Sequence, residues 1–374
     1  MKRLSDYRMR FVLVGIVVAI IIGSGIAKAD FTFGEPMNMG MPVNSPQGDT
    51  IDCLSADGLE MYITSQRRCG RGNWEIWVSR RETIEDAWGT PTALGPTINV
   101  GRLDQCAGIS PDGLELYFMS NRGGGYGQAD IWVATRETRS DSWGQAVNLG
   151  PSINTSGYEG SPCISGDGLE LYFDSDGMGG YGSGDIFVAR RSSIEDPWRG
   201  PVNLGRTVNS SALDCWVHIS TDGLLLLFSE EMVGPKRPGG FGQGDIWITR
   251  RASITAPWEA PMNLGSTINS PSLDCGPKLS PDGSMLYFSS DRPGGFGGLY
   301  GDIYQAPIVP IVDFNGDRIV DAEDMCIMVD HWGTDEPLCD IGPMPWGDGI
   351  VDVQDLIVLA EHLFEELPGR PINP

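Results

Sequence analysis

The chain has 374 residues and a formal net charge of −24, with 50 Asp and Glu against 26 Lys and Arg. No basic patch is present to displace the counterions of a phosphate backbone, so nucleic acid is excluded as a partner, while cations, calcium and neutral glycans stay compatible. The 51 glycines and 26 prolines, with 9% aromatic residues, suit a turn-rich β protein better than a helical one.

Residues 1–29 read as a secretory signal peptide. Lys2, Arg3, Arg8 and Arg10 precede an apolar run from Phe11 to Ile22, and Ala27-Lys28-Ala29 supplies a small-x-small cleavage site before Asp30. An uncleaved anchor is the competing reading, because Phe11 to Ala27 approaches spanning length. Nothing else in the chain is apolar enough to cross a bilayer, so no membrane span is expected after cleavage, and the protein belongs outside the cell or in the envelope or periplasm. Eight cysteines fit an exported chain. Cys53, Cys106, Cys163, Cys215 and Cys275 each precede an Asp-Gly turn, Cys69 lies in a loop, and Cys326 and Cys339 are close enough to pair. There is no C-x-x-C, so zinc is not expected.

From residue 30 onward one sentence recurs. Asp-Gly pairs begin at Asp57, Asp112, Asp167, Asp222 and Asp282, in steps of 55, 55, 55 and 60 residues, and a fixed period of this size marks a repeat architecture. Each copy carries a segment ending before the Asp-Gly turn, an alternating Leu-Glu-Leu-Tyr-Phe-like run, a Gly-rich loop, an Asp-Ile-Trp-Val-like segment, and a loop through Trp88, Trp143, Trp198 or Trp258 to a Val-Asn-Leu-Gly-like segment. Four short strands per unit make one propeller blade. The fifth copy lacks its fourth strand, and Pro36-Met37-Asn38-Met39-Gly40 mirrors Pro261-Met262-Asn263-Leu264-Gly265. The expected fold is therefore an all-β five-bladed propeller over residues 30–308, with four-stranded blades and the last closed by the N-terminal strand, which removes open sheet edges.

These residues resemble the WD40-like, TolB-type propeller repeat. The match is fullest at Ser280-Pro281-Asp282-Gly283, Leu286-Tyr287-Phe288-Ser289-Ser290, Arg292-Pro293-Gly294-Gly295 and Asp302-Ile303-Tyr304, and the first copy departs most from it. The resemblance implies a fold and leaves the function to be argued from sites.

Two sets of repeat positions are candidates for ligand binding. An acid follows each Leu-Gly-x-x-(Ile/Val)-Asn unit at Asp49, Asp104, Glu159, Asp214 and Asp274, in a loop expected near the mouth of the central channel. The Gly-rich loops of the same face carry Arg122, Arg237 and Arg292 and the aromatics Tyr126, Tyr181, Phe241 and Phe296. Such a rim suits a glycan, a cation or a peptide. Repetition in every blade equally suits a structural role, with the acids bonding loop amides and the aromatics packing between blades. No catalytic residue stands out. His218 falls on an expected inner strand as a core histidine, there is no G-x-S-x-G elbow, and paired carboxylates for a glycosidase are not singled out among five repeated acids.

After Ala306-Pro307-Ile308-Val309-Pro310 the pattern changes. Asp313, Asn315, Asp317, the Ile319 carbonyl, Asp321 and Asp324 stand at loop positions 1, 3, 5, 7, 9 and 12 of a calcium loop, ahead of an apolar helical run. This stretch resembles the first half of a type I dockerin repeat. A second half runs through Asp348, Asp352 and Asp355, with Asp340 reached through a longer loop. The expectation is a small α-helical, dockerin-like, calcium-binding domain over 309–367 and a tail over 368–374. The resemblance implies a cohesin-like or other surface protein as partner, although Ala322-Glu323 and Val353-Gln354 stand where the family often has a Ser-Thr pair.

The chain is thus expected to be an exported, non-catalytic binding or scaffold protein in a polysaccharide-related extracellular assembly. The alternatives are a glycoside hydrolase using rim carboxylates and a purely structural interaction protein.

Overall fold

The computed structural model describes residues 31–67, 74–231, 234–298, 300–315, 319–334, 339–342 and 350–364. The expected signal peptide, the tail, Cys69, Asp317 and Asp348 lie outside the described residues. The chain divides into two compact units, one spanning Phe33–Val309 and one containing Pro310–Pro374.

Two short strands open the chain, β1 (Phe31–Phe33) and β2 (Met37–Asn38). Blade 1 holds β3 (Asp49–Leu54), β4 (Glu60–Ser65), β5 (Glu75–Arg80) and β6 (Thr92–Ala93). Blade 2 holds β7 (Asp104–Ile109), β8 (Glu115–Ser120), β9 (Asp130–Thr135) and β10 (Val147–Asn148). Blade 3 holds β11 (Glu159–Ile164), β12 (Glu170–Ser175), β13 (Asp185–Arg190) and β14 (Val202–Asn203). Blade 4 holds β15 (Asp214–Ile219), β16 (Leu225–Glu230), β17 (Ile246–Arg250) and β18 (Met262–Asn263), followed by the single turn α1 (Gly265–Ile268). Blade 5 holds β19 (Asp274–Leu279), β20 (Met285–Ser290) and β21 (Asp302–Pro310).

Each blade is an antiparallel meander in chain order, and the innermost strands β3, β7, β11, β15 and β19 contact one another in a closed cycle. The chain is a five-bladed propeller. Closure involves two segments instead of the single expected one. Strand β2 pairs β21 at Met37↔Gln305 and Asn38↔Tyr304, while β1 also lies beside β21, with the Gly34 amide donating to the Pro307 carbonyl at 2.9 Å. The third strand of the last blade therefore continues to Pro310, beyond the expected Tyr304.

The alternating run suggests one polar face, but the propeller buries both. Leu116, Tyr117, Phe118 and Met119 are all within 1% of complete burial, because each blade is covered on both sides by its neighbours. The glutamate of that run links blades instead. Glu60, Glu115 and Glu170 each take the tyrosine hydroxyl two residues on, at 2.7–2.9 Å. Each also receives an arginine of the next blade, Arg136, Arg191 and Arg251, at 3.1 Å. These arginines lie over Trp143, Trp198 and Trp258 at 4.3–4.5 Å. In the Asp-Gly turns the aspartate accepts the amide two residues on, as Asp112 does from Leu114 at 2.9 Å. The following glycine takes the positive φ that an L-residue disfavours, +77° at Gly113.

In the C-terminal unit, α2 (Ala322–Asp330) and α3 (Val353–Glu361) each begin with a capping box, from Asp321 with Asp324 and from Asp352 with Asp355. Val312, Val320, Met328, Cys339, Ile341, Val351, Val358 and Leu359 form a small core. The pairing suggested for Cys326 and Cys339 is not made. Cys326 is exposed, whereas Cys339 is buried in that core.

Candidate functional site

The five repeated acids begin the five inner strands and are completely buried. Asp104 accepts the amides of Val100 and Gly101 at 2.8 and 2.6 Å, the Ser120 hydroxyl at 2.5 Å and the Arg122 guanidinium at 2.9 Å. The same pairing joins Asp49 to Arg67, Asp214 to Arg237 and Asp274 to Arg292, at 2.6–2.9 Å. Each arginine also donates to the carbonyl of Val43, Ile98, Val208 or Ile268. Three of them lie between two aromatic rings, Arg122 over Phe118 and Trp132, Arg237 over Phe228 and Trp247, and Arg292 over Phe288 and Tyr304. Blade 3 differs because Gly177 replaces the arginine, and the longer Glu159 reaches the hydroxyls of Thr155 and Ser175 at 2.6 and 2.7 Å. Burial raises its carboxyl pKa above the ordinary value, against those hydroxyls. These acids hold the loops between blades and present no open carboxylate to solvent.

The aromatics are placed differently. Tyr126, Tyr181, Phe241 and Phe296 are 42–55% exposed, although their backbone is held. Each donates its amide to the aspartate that starts the third strand, Asp130, Asp185, Asp245 or Asp302. That aspartate also takes an asparagine of the outer strand, as Asp130 does from Asn148 at 2.7 Å. The result is a set of exposed rings on fixed loops, an arrangement that loses little conformational entropy on binding a flat ligand.

A second constellation lies on the axis, where the copies stop matching. Every inner strand bulges against its neighbour, and bulges re-aim side chains. Non-glycine residues there take positive φ at Cys106, Ser161 and Trp216. The bulges carry Asp52, Ala107, Pro162, Val217 and Pro277 at one equivalent position and Cys53, Gly108, Cys163, His218 and Lys278 at the next. Bulge amides are bonded by hydroxyls of the preceding blade: Cys106 by Thr64 at 3.0 Å, Gly276 by Ser229 at 3.4 Å and Ile51 by Ser289 at 3.2 Å. In blade 3 that hydroxyl is replaced by the carboxylate of Asp174, which meets the Trp216 amide.

Asp52 and Asp174 are both more than nine-tenths buried, and each leaves its Oδ1 without a partner. Burial raises both to about 7, opposed at Asp52 by the Thr64 hydroxyl and at Asp174 by the Ser161 hydroxyl. Lys278 donates to the Val217 carbonyl at 3.2 Å, and His218 stands 3.7 Å from the Cys163 sulfur. Burial, with the Lys278 charge, pushes His218 well below the usual imidazole range. On the side of the Gly-rich loops, Tyr300 of blade 5 packs between Trp74 of blade 1 and Trp216 of blade 4, with ring centroids 5.8 and 5.7 Å away. Its hydroxyl donates to Glu231 at 3.3 Å. Tyr300 has φ +66° and stands between Gly298 and Gly301, also at positive φ.

His218 holds the inner-strand place expected of a core histidine, and no motif in the chain marks Asp52, Asp174, Glu231, Lys278 or Tyr300. The available signal was the break in symmetry, since a hydroxyl holds the neighbouring bulge in three blades and a buried carboxylate is a costly substitute.

This cost has a sign. A carboxyl raised from 3.8 to about 7 binds its proton more tightly in the folded state, so its contribution is complete below pH 3.8 and is lost as pH rises through 7. Asp174→Ser restores the hydroxyl that blades 1, 4 and 5 have at this place. Its stability relative to the parent is expected to rise between pH 4 and 8, by an amount on the order of a few kcal/mol. Urea midpoints of the two proteins that shift in parallel over that range would contradict the assignment.

In the C-terminal unit, Asp324 Oδ1 accepts the amides of Phe314 and Asn315 at 2.7 and 3.2 Å. Asp355 Oδ1 accepts those of Ile341 and Gly342 at 2.6 and 2.7 Å. Asp340 therefore precedes its pair of bonded amides as Asp313 precedes the pair in the first half. Among the described residues no group of three or more His, Cys, Asp or Glu is arranged to hold a metal.

No protein-family model matches the sequence, and no curated protein matches it. Solved structures similar in fold include TolB from Acinetobacter baumannii, at 15% identity and a TM-score of 0.44, covering 74% of this chain and 63% of that one. They also include the α-L-arabinofuranosidase PaAbf62A from Podospora anserina, at 11% identity and 0.47, covering 75% and 96%. The endo-arabinase from Bacteroides thetaiotaomicron matches at 16% identity and 0.43, covering 76% and 98%. This chain spans less than two thirds of the Acinetobacter TolB chain.

Proposed function

We propose that the chain is an exported glycan-binding propeller that carries its own attachment module. The observation that supports this most directly is the set of exposed aromatic rings, Tyr126, Tyr181, Phe241 and Phe296, on loops clamped by buried carboxylates. Aromatic faces on rigid loops stack on sugar rings through their apolar faces. The signal peptide directs export, and residues 309–367 act as a dockerin-like module for a cohesin-like or other surface partner.

The calcium assignment rests on ligand spacing and on the matching registers of the two halves. Asp313, Asn315, Asp317, the Ile319 carbonyl, Asp321 and Asp324 would hold one ion, and Asp340, Asp348, Asp352 and Asp355 a second. Hard oxygen ligands of this kind suit calcium, and its charge would offset the carboxylates gathered in each loop.

A second reading, glycoside hydrolysis, is favoured by Asp52 and Asp174, whose protons are poised near neutral pH on the axis. Tyr300 packs against Trp216, whose amide Asp174 meets, so a substrate reaching that carboxyl from the Gly-rich loops would have to displace it.

One experiment separates the readings. The mature chain is incubated with insoluble polysaccharides in calcium, and both retention on the solid and released reducing sugar are measured. Binding predicts retention without release, and a Tyr126→Ala, Phe241→Ala variant retained about tenfold less. Release abolished by Asp52→Asn or Asp174→Asn would make the protein a hydrolase. In parallel, EDTA is expected to lower the unfolding midpoint of the C-terminal unit. Calcium titration without heat or midpoint change would remove calcium from the account.

A further inference from the structure

The propeller's outer wall carries a groove between blades 1 and 2 with a volume of about 420 Å³, within the range of small-molecule sites. Arg80 at the end of β5, Thr92 in β6, and Arg139, Ser140 and Ser142 in the loop after β9 line it, with Arg136 at its base. The repeat supplies an internal comparison for each of these places. Where blade 2 has Arg139, the other copies of the loop have Ile84, Ile194 and Ile254. Where it has Ser140, they have Glu85, Glu195 and Thr255. The place of Arg80 is held by Thr135 in blade 2, Arg190 in blade 3 and Arg250 in blade 4. The junction of blades 1 and 2 therefore places two surface arginines on one groove, with a serine where two other blades carry a glutamate, and the acid that also lines it, Asp141, accepts the Thr138 amide and hydroxyl at 2.9 and 2.7 Å.

Both guanidiniums are available. Arg139 and Arg80 are 40% and 53% exposed, and their ion pairs, to Asp57 at 2.7 Å and to Glu60 at 2.8 Å, are made through one nitrogen each. The Arg139–Asp57 pair is exposed on both sides and exchanges readily, while Glu60 is buried, so Arg80 meets a ligand through the guanidinium nitrogens that Glu60 does not take. A guanidinium has five donors in a planar fork that matches a carboxylate. Thr92, Ser140 and Ser142 add hydroxyls, and the two-residue strand β6 leaves a blade edge beside them.

From this we infer that the groove is a binding site for a short acidic oligosaccharide, whose carboxylates meet Arg80 and Arg139 and whose hydroxyls meet the Ser and Thr side chains. The inference rests on the glycan-binding reading and adds a second site, with its own charge preference, on a different wall of the propeller.

The test uses the full chain in calcium, titrated calorimetrically with tri-galacturonate, with a neutral trisaccharide and with a sulfated trisaccharide. The variant Arg80→Thr, Arg139→Ile takes the residues that blades 2 and 3 already use at these places, so its fold is expected to be retained. The parent is expected to bind tri-galacturonate in preference to the neutral sugar and more weakly as salt rises. The arginine variant is expected to lose roughly tenfold or more in affinity, while the Tyr126→Ala, Phe241→Ala variant keeps it. Unchanged tri-galacturonate binding in the arginine variant, or none in a parent that is still retained on polysaccharide, would overturn the groove and leave the rim reading standing. A parent that takes the sulfated sugar and not the carboxylated one would overturn the carboxylate assignment.

Discussion

Replacing Asp104 by alanine is expected to lower the unfolding free energy of the propeller by roughly 3–5 kcal/mol, the usual cost of removing one partner of a buried ion pair. The substitution strands Arg122, whose side chain is only 9% exposed, and leaves the Val100 and Gly101 amides and the Ser120 hydroxyl without their acceptor. Blade 3 supplies the control. Glu159→Ala strands no arginine, because Gly177 occupies the equivalent place, and removes only bonds from hydroxyls and an amide. Its expected cost is about 1–3 kcal/mol. Urea unfolding followed by far-ultraviolet circular dichroism compares the two. Equal losses would mean that the arginine pairing contributes nothing to the clamp.

Deleting residues 31–38 is expected to open the ring. Strand β21 would then become an uncovered edge, losing the β2 ladder at Gln305 and Tyr304. The Asn38 side chain, which bridges Asp302 at 2.8 Å and Asn44 at 2.9 Å, would go with it. An unpaired edge of this length is a template for association with other chains. The shortened protein should therefore run as oligomers in size-exclusion chromatography with light scattering, and its unfolding midpoint should fall. The milder Asn38→Ala keeps the strands and should remain monomeric, at a cost of about 1–3 kcal/mol. A monomeric deletion variant with the parent's midpoint would show that the N-terminal strands do not close the propeller.

The blade pattern was legible because its signals are local. Asp-Gly turns, alternating runs and the Pro-Met-Asn mirror between residues 36–40 and 261–265 each lie within a few residues, and each recurs. Repetition was less useful for the site, since it marks what every blade needs. Asp49, Asp104, Glu159, Asp214 and Asp274 recur because every blade junction needs its loop amides bonded, and they are buried accordingly. The four aromatics recur with them and are exposed, a difference that no spacing in the chain encodes.

By itself, then, the sequence determined the number of blades, the order of strands within them, the turn chemistry and the part of the closure made by residues 36–40. All of these follow from short-range patterns copied at a constant period. Only the tertiary structure decided which departures from the repeat meet. Asp52, Asp174, Glu231, His218, Lys278 and Tyr300 come from four different blades and are far apart in the chain. They come to the inner side of one ring because its closure gathers the bulges of all five inner strands around one axis. Arg80 and Arg139 share a groove for the same reason, being the facing walls of two blades that only the closed propeller sets side by side.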